Sequence, residues 1–354
     1  MSTPLARLVW RCIWPSWYEE DWMRVRRALQ THPPGGVTLF SRHLPDPEAC
    51  CDLNRQILLL SHGATRVAVD QEGGPVQRLP EPLPRFPAAA SWAIRGENVR
   101  PVFDAHCWLG ELLRRLGFAI DFAPVADLEF DPDHAALRRR CFGGPNEPST
   151  VARVAAAVEG LRAAGLEACA KHFPGHGAVA SDSHVELDVL DIDLETAQRR
   201  EWIPFRAAIA SGVQLVMVGH FRWPAICGDG PTTFSRPLFE RLRGELGFAG
   251  VIVSDDLEMG AIARQWAPDE AALLALTSGQ DVALFCHRFE TAEQAAELCI
   301  REAERSAAFR AMLHDAAGRI ERLRQVPDTQ RPDIEEVREW LRHHPEPWIE
   351  SNRE

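Results

Sequence analysis

The sequence predicts an α/β protein, a single-domain (β/α)8 TIM barrel, and three observations lead there. Short apolar runs alternate with helical stretches along most of the 354 residues. The runs are apolar throughout instead of alternating, as in a parallel sheet covered by helices on both faces. Eight such units can be counted, and polar residues gather at the runs' carboxyl ends, where barrels keep their chemistry. An open doubly wound sheet is the competing architecture, but no Gly-x-Gly-x-x-Gly turn follows the first strand.

The first strand is read at Leu8-Val9-Trp10-Arg11-Cys12-Ile13-Trp14, followed by a helix from Asp21 to Gln30. Gly35 to Phe40 is a turn entering the second strand, Pro47 to Ser61 a helix, and Arg66 to Asp70 the third strand. Asn98 to Leu116 is helical with Gly117 as its stop, and Phe118 to Val125 is the fourth strand. The helix from Ser149 to Ala164 has Ser149 as N-cap and Gly165 as stop, ahead of the fifth strand at Ala168 to Lys171. Leu194 to Ser211 is a helix, Leu215 to Val218 a strand, Arg236 to Leu246 a helix, and Gly250 to Ser254 a strand. Asp269 to Ser278 is a helix, Asp281 to Phe285 the eighth strand, and Ala292 to Arg305 and Phe309 to Arg324 close the barrel. Residues 1–325 form the catalytic barrel in this reading; 326–354 form a C-terminal tail without assigned packing.

Composition narrows the function. A net charge of -12 excludes the basic face that nucleic acid requires, so no nucleic-acid partner is expected. No apolar run is long enough to span a membrane, and no signal peptide is visible, which points to a cytoplasmic protein without a membrane partner. The nine cysteines are scattered and form no Cys-x-x-Cys pair, so neither a zinc site nor a disulfide framework is expected.

The densest chemistry lies in Lys171-His172-Phe173-Pro174-Gly175-His176-Gly177 and the nearby Ser181-Asp182-Ser183-His184. Lys171 is the only lysine; every other basic side chain apart from histidine is arginine. A single ammonium in such a chain suggests a compact point charge is wanted there. Strands three to seven end in Asp70-Gln71-Glu72, Asp127 (with Arg140 beyond), Lys171-His172, Gly219-His220 and Ser254-Asp255-Asp256. Charge at the end of a buried strand is costly unless it meets a partner or a ligand, and five such ends on one rim point to a site. Asp256 is assigned to helix capping and Asp255 to chemistry. Asp182 two residues before His184 fixes a tautomer and raises the imidazole pKa, as a general acid near neutral pH requires. Metal binding by His172, His176 and His184 is the rival, but no His-Glu-x-x-His helix or nearby cysteine supports it, and no cofactor is expected.

As a set, these stretches resemble glycoside hydrolase family 3, and in particular its bacterial β-N-acetylglucosaminidases acting on peptidoglycan fragments. The resemblance rests on Val69 to Gly74 with Val76-Gln77-Arg78, Asp121 to Asp127, Arg140 to Gly143, Lys171 to Gly177, Ser181 to His184, and Val253 to Met259. It implies a retaining mechanism with Asp255 as nucleophile and His184 as general acid/base oriented by Asp182, a histidine standing where most retaining enzymes use a second carboxylate. Asp70, Arg78, Arg140, Lys171 and His172 match positions that hold the sugar. The implied activity is removal of terminal N-acetylglucosamine from muropeptides of the GlcNAc-1,6-anhydroMurNAc type, by a monomer serving cell-wall recycling. A phosphorylase or β-glucosidase of the same family, or a catalytically dead sugar-binding barrel, are the alternatives. The loop from Phe173 to Glu186 is expected to be mobile, bringing His184 in when substrate binds. Pro75 stands where the family commonly has arginine, and the first strand lacks the usual acidic ending.

Overall fold

The computed structural model describes residues 3–179, 187–325 and 331–350. Eight parallel strands follow one another around a barrel: β1 (Ile13–Pro15), β2 (Gly36–Leu39), β3 (Arg66–Val69), β4 (Ile120–Asp121), β5 (Glu167–Phe173), β6 (Leu215–Val218), β7 (Val251–Asp256) and β8 (Val282–Phe285). The hydrogen-bonded order runs β1-β8-β7-β6-β5-β4-β3-β2, so only the β1–β2 seam lacks a ladder. There a side chain does the closing. The Trp14 indole lies directly on Gly36, where a Cβ would meet the ring at 2.7 Å, so any larger residue would push the strands apart. The strands are buried nearly throughout, as expected for a sheet wrapped by helices.

Most elements fall where the sequence puts them, with four corrections. The run Leu8 to Trp14 is not one strand, because α1 (Pro4–Cys12) occupies most of it and only Ile13 and Trp14 reach the sheet. Thr3 caps that helix, its hydroxyl accepting from Ala6 N at 3.1 Å, and Pro4 suits the first turn. Leu5, Leu8, Val9 and Cys12 then form a helical stripe toward the core, which an eye starting at Leu8 reads as a continuous apolar run. The fourth strand is a ladder only at Ile120 and Asp121, ahead of a cis Ala123–Pro124 bond.

The helix expected over Leu194 to Ser211 is two, α6 (Leu194–Arg199) and α7 (Trp202–Ala210). Pro204 explains the break, since its ring cannot tolerate the carbonyl of Arg200 in a continuous helix. Ser149 begins α5 (Ser149–Ala163) as a helical residue without capping it; Pro148 precedes it. The remaining barrel helices are α2 (Trp22–Thr31), α3 (Pro47–Leu60), α4 (Arg100–Arg115), α8 (Arg236–Gly244), α9 (Pro268–Ser278), α10 (Phe289–Arg305) and α11 (Ala307–Glu321).

Past the barrel, α12 (Ile334–His343) packs on α3 and α4. Trp340 and Trp348 meet Trp108 of α4 at ring distances of 5.2 and 5.0 Å, and the Trp108 indole donates to His344 O at 2.9 Å. No helix among the described residues is long and apolar enough to cross a membrane.

Candidate active site

The amino end of the barrel spends its charges on structure. Asp281, fully buried just before β8, takes Arg243 at 2.7 Å and Arg319 at 2.8 Å. The carboxyl end is different. Asp70, Gln71 and Glu72 leave β3 and enter a turn at Gly73-Gly74, with φ of 89° and 55°. A Cβ on Gly73 would lie 2.2 Å from Pro87 O, so the turn requires glycine both for its backbone angle and for the close approach. The buried Gln71 side chain accepts from the backbone of Arg78 at 2.8 Å and Leu79 at 3.2 Å, which sets the direction in which Arg78 leaves the turn. The Arg78 guanidinium then lies over Phe40, 5.4 Å from the ring centre.

Two strand irregularities aim the central residues. Between β5 and β6, Ala170 pairs with Val216 and Phe173 with Val218, so β5 carries one extra residue. In a regular strand, neighbouring side chains point to opposite faces; this bulge lets Lys171 and His172 both line the cavity. Between β7 and β8, Val282 pairs with Val253 and Leu284 with Asp256, another extra residue, and Asp255 and Asp256 both reach the same cavity.

Lys171 is buried between two carboxylates, its Nζ 2.7 Å from Asp70 and 2.5 Å from Glu72. Glu72 also receives a fork from Arg140, Nε to Oε2 at 2.7 Å and Nη2 to Oε1 at 2.8 Å. Burial works against the charged form of all three groups, but their mutual attraction wins. Glu72 is held well below the ordinary carboxylate range, and Lys171 and Arg140 above theirs. The two cations are thereby fixed in place as charged donors facing the cavity.

His172 is fixed from beneath. Asp127, fully buried, accepts from His172 Nδ1 at 2.7 Å, from His172 N at 3.1 Å and from His176 N at 2.7 Å. Burial raises the pKa of Asp127, yet His172 and the His176 N–H bring it below its usual value. His176 packs edge-on to His172, with 5.7 Å between ring centres; burial above all pushes its own pKa down to about 3.

At β7, Asp255 lies among groups that favour its anion. Burial pulls its pKa up, but the polar groups around it, among them the Asp256 N–H at 2.8 Å and Lys171, hold it below the ordinary value. Asp256 does not cap a helix as expected. It ties β7 to β8 by accepting from Glu258 N at 3.0 Å and Cys286 N at 3.1 Å, with His287 at 3.2 Å. His220 donates through Nε2 to Asp256 O at 2.9 Å and meets Thr233 Oγ1 at 2.7 Å through Nδ1, holding the backbone behind Asp255.

These groups share one cavity of about 670 Å³, the size of a small-ligand site. Asp70, Arg78, Arg140, Lys171, His172 and Asp255 all line it, as does Pro75. Asp182 and His184, assigned to acid/base chemistry from the sequence, lie outside the described residues, as does much of the loop expected to move. Among the described residues no three His, Cys, Asp or Glu side chains are placed to hold a metal ion. The reading from sequence counted Glu72 and Asp127 among the polar strand ends but gave neither a role. Spacing held part of the signal, since Glu72 stands two residues from Asp70, but the partners come from 68 and 45 positions away.

Asp121 lies beneath this cluster at the end of β4. Its Oδ1 accepts from Gln71 N at 2.9 Å, while Oδ2 is buried without a hydrogen-bond partner. Burial is the main cause that pushes its carboxyl up to about 8, with Asp70 and Glu72 adding repulsion and Lys171 opposing. The folded protein therefore binds this proton where the unfolded chain has released it, from about pH 4 to 8. Across that window, raising the pH removes stability; above it the loss is constant. Asp121→Asn keeps the Oδ1 contact and cannot titrate. Relative to this variant, the wild-type unfolding midpoint should fall between pH 5 and 9 by roughly 3 °C or more. A pH-independent difference would show that Asp121 is already ionised in the fold.

Comparison with known proteins agrees with the geometry. The family model for the glycosyl hydrolase family 3 N terminal domain matches residues 17–323. A β-hexosaminidase of Stenotrophomonas maltophilia (strain R551-3) is 34% identical over 275 residues, 76% of this chain and 79% of its own. One from Xylella fastidiosa (strain 9a5c) is 36% identical over 276 residues, with 76% and 79% covered. Among solved structures, the family 3 β-N-acetylglucosaminidase of Paenibacillus sp. str. FPU-7 superposes with a TM-score of 0.83 at 30% identity, over 93% of this chain and 63% of that longer one. The LpqI protein of M tuberculosis superposes with a TM-score of 0.78 at 27% identity, over 94% of each chain. With the family's matching region running from just past β1 to beyond α11 and taking in every rim residue described above, this chain is a glycoside hydrolase and belongs to glycosyl hydrolase family 3.

Proposed function

We propose that the protein is a β-N-acetylhexosaminidase, in line with relatives named β-hexosaminidase, and more narrowly a retaining exo-β-N-acetylglucosaminidase. The observation that carries this reading is the placement of half-buried, anionic Asp255 in the same cavity as Lys171, His172, Arg140 and Asp70. A carboxylate facing a cluster of fixed hydrogen-bonding groups suits attack on an anomeric carbon whose ring hydroxyls are held in place.

In this reading Asp255 attacks C1, and His184, oriented by Asp182, gives its proton to the departing oxygen. Water then attacks C1 of the glycosyl-enzyme, returns a proton to His184 and releases Asp255, so the product keeps the β configuration. The substrate is a peptidoglycan-derived muropeptide with terminal N-acetylglucosamine, and the protein acts as a cytoplasmic monomer in cell-wall recycling.

The test is hydrolysis of aryl N-acetyl-β-glucosaminides and of GlcNAc-1,6-anhydroMurNAc by the wild type and His184→Ala, with and without phosphate. The variant should lose about a hundredfold or more on the natural disaccharide and much less on an aryl glycoside whose leaving group needs no proton. Turnover of glucosides alone would overturn the substrate. Formation of a sugar phosphate in place of the free sugar would overturn hydrolysis.

A further inference from the structure

His172 touches two partners that constrain which of its nitrogens carries a proton. Nδ1 is 2.7 Å from the Asp127 carboxylate, which only accepts, so Nδ1 carries the hydrogen. Nε2 is 3.5 Å from Nη2 of Arg140, a group that only donates, at a separation long enough to leave the nitrogen's one lone pair to a closer donor. A second N–H at Nε2 would point one donor at another. Arg140 cannot turn away, because Glu72 holds its Nε and Nη2 and Ala136 O takes its Nη1 at 2.7 Å. Nor can the ring flip easily, with Asp127 also holding the backbone N–H of His172 and His176 packed against it.

We propose that Asp127 is a positioning residue that locks His172 as the neutral Nδ1–H tautomer, so that Nε2 accepts a hydrogen bond from one sugar hydroxyl. Lys171 and Arg140 then supply the donors of the site, and His172 supplies an acceptor between them. This deepens the assignment above and rests on the cavity binding N-acetylglucosamine. A hydroxyl at this position has to be a donor, so the site discriminates against sugars that carry only an acceptor there.

Calorimetric binding of N-acetylglucosamine to the full chain, with its 3-, 4- and 6-deoxy and deoxyfluoro analogues, tests this, since a fluorine can accept weakly but cannot donate. At one position the wild type should bind both analogues about tenfold or more weakly than the parent sugar. In His172→Leu and Asp127→Ala that gap should close to about threefold or less, while Asp127→Asn, which keeps an oxygen toward Nδ1, retains most of it. A merely structural Asp127 would weaken all the sugars alike and leave the gap intact. Should Asp127→Ala fail to fold, His172→Leu alone decides.

The proposal is overturned by a gap that survives at every position in His172→Leu. It is equally overturned if the fluoro analogue binds like the parent at the position His172→Leu identifies, since His172 would then be the donor. If glucose binds and N-acetylglucosamine does not, the substrate assignment falls, and the same analogue series built on glucose decides the role of His172. Binding of neither sugar overturns both.

Discussion

Asp255→Ala should lower turnover of an aryl N-acetyl-β-glucosaminide by about 10⁴-fold or more, the effect expected for removing a covalent nucleophile. Such a loss corresponds to about 5 kcal/mol of transition-state stabilisation. The fold should barely notice. Asp255 has neighbours that favour its charge, but among the described residues its one hydrogen bond is local, from the N–H of Asp256, so the variant gives up little of the structure's bonding. Its unfolding midpoint should stay within a few degrees of the wild type, which separates lost chemistry from lost structure.

Azide supplies the decisive second observation. The space left by the carboxylate opens on the same cavity, so azide should attack C1 from that side and restore part of the turnover on substrates with good leaving groups. The product should be the α-glycosyl azide, because a single displacement replaces the usual two. Unchanged activity in Asp255→Ala would sink the mechanism. Rescue giving a β-azide would place the nucleophile elsewhere, and a variant that fails only at binding would make Asp255 a sugar ligand.

Why the sequence shows some of this site and hides the rest follows from what each feature depends on. The parallel architecture is local in origin, since each apolar run with its following helix can be recognised by itself. Charged residues that end buried strands were equally visible, and Asp70, Lys171 and Asp255 do meet at one rim. What could not be read is geometry set by pairing between strands. The extra residues in β5 and β7 exist only relative to β6 and β8, and without them His172 or Asp256 would point away from the cavity. The roles of Glu72 and Asp127 also need the fold, because their partners become neighbours only when β3, β4 and β5 lie side by side. The misread first strand has another cause: in a short run of tryptophan and aliphatic residues, burial on a helix stripe and burial in a strand look alike.

Lys171→Met should cost the fold roughly 3–5 kcal/mol, the typical penalty for removing one member of a buried ion pair. Asp70 and Glu72 would then face each other across an apolar side chain, with only Arg140 left to neutralise Glu72. Their electrostatics set the pH dependence of the defect. Glu72 is held ionised in the wild type partly by Lys171, so without it protonation becomes easier, and the variant should recover stability relative to wild type as the pH is lowered. Adding Glu72→Gln should restore only part of it, as protonation does, because the half-buried Arg140 would lose its carboxylate. Adding Asp70→Asn should restore more, since the charge that Lys171 leaves uncompensated is then removed. Lys171→Arg is no remedy, as a planar guanidinium cannot occupy the space of a compact ammonium held at 2.7 and 2.5 Å by two carboxylates. Urea unfolding of the four variants measures these differences, and a Lys171→Met penalty below about 1 kcal/mol would show that the pair contributes little. The absence of any other lysine offers an independent check on the same burial. Under native conditions, reductive methylation should spare Lys171, whose side chain is only 3% exposed, and in urea it should modify it fully. Rapid native modification would mean that the ion cluster opens often enough to release its ammonium.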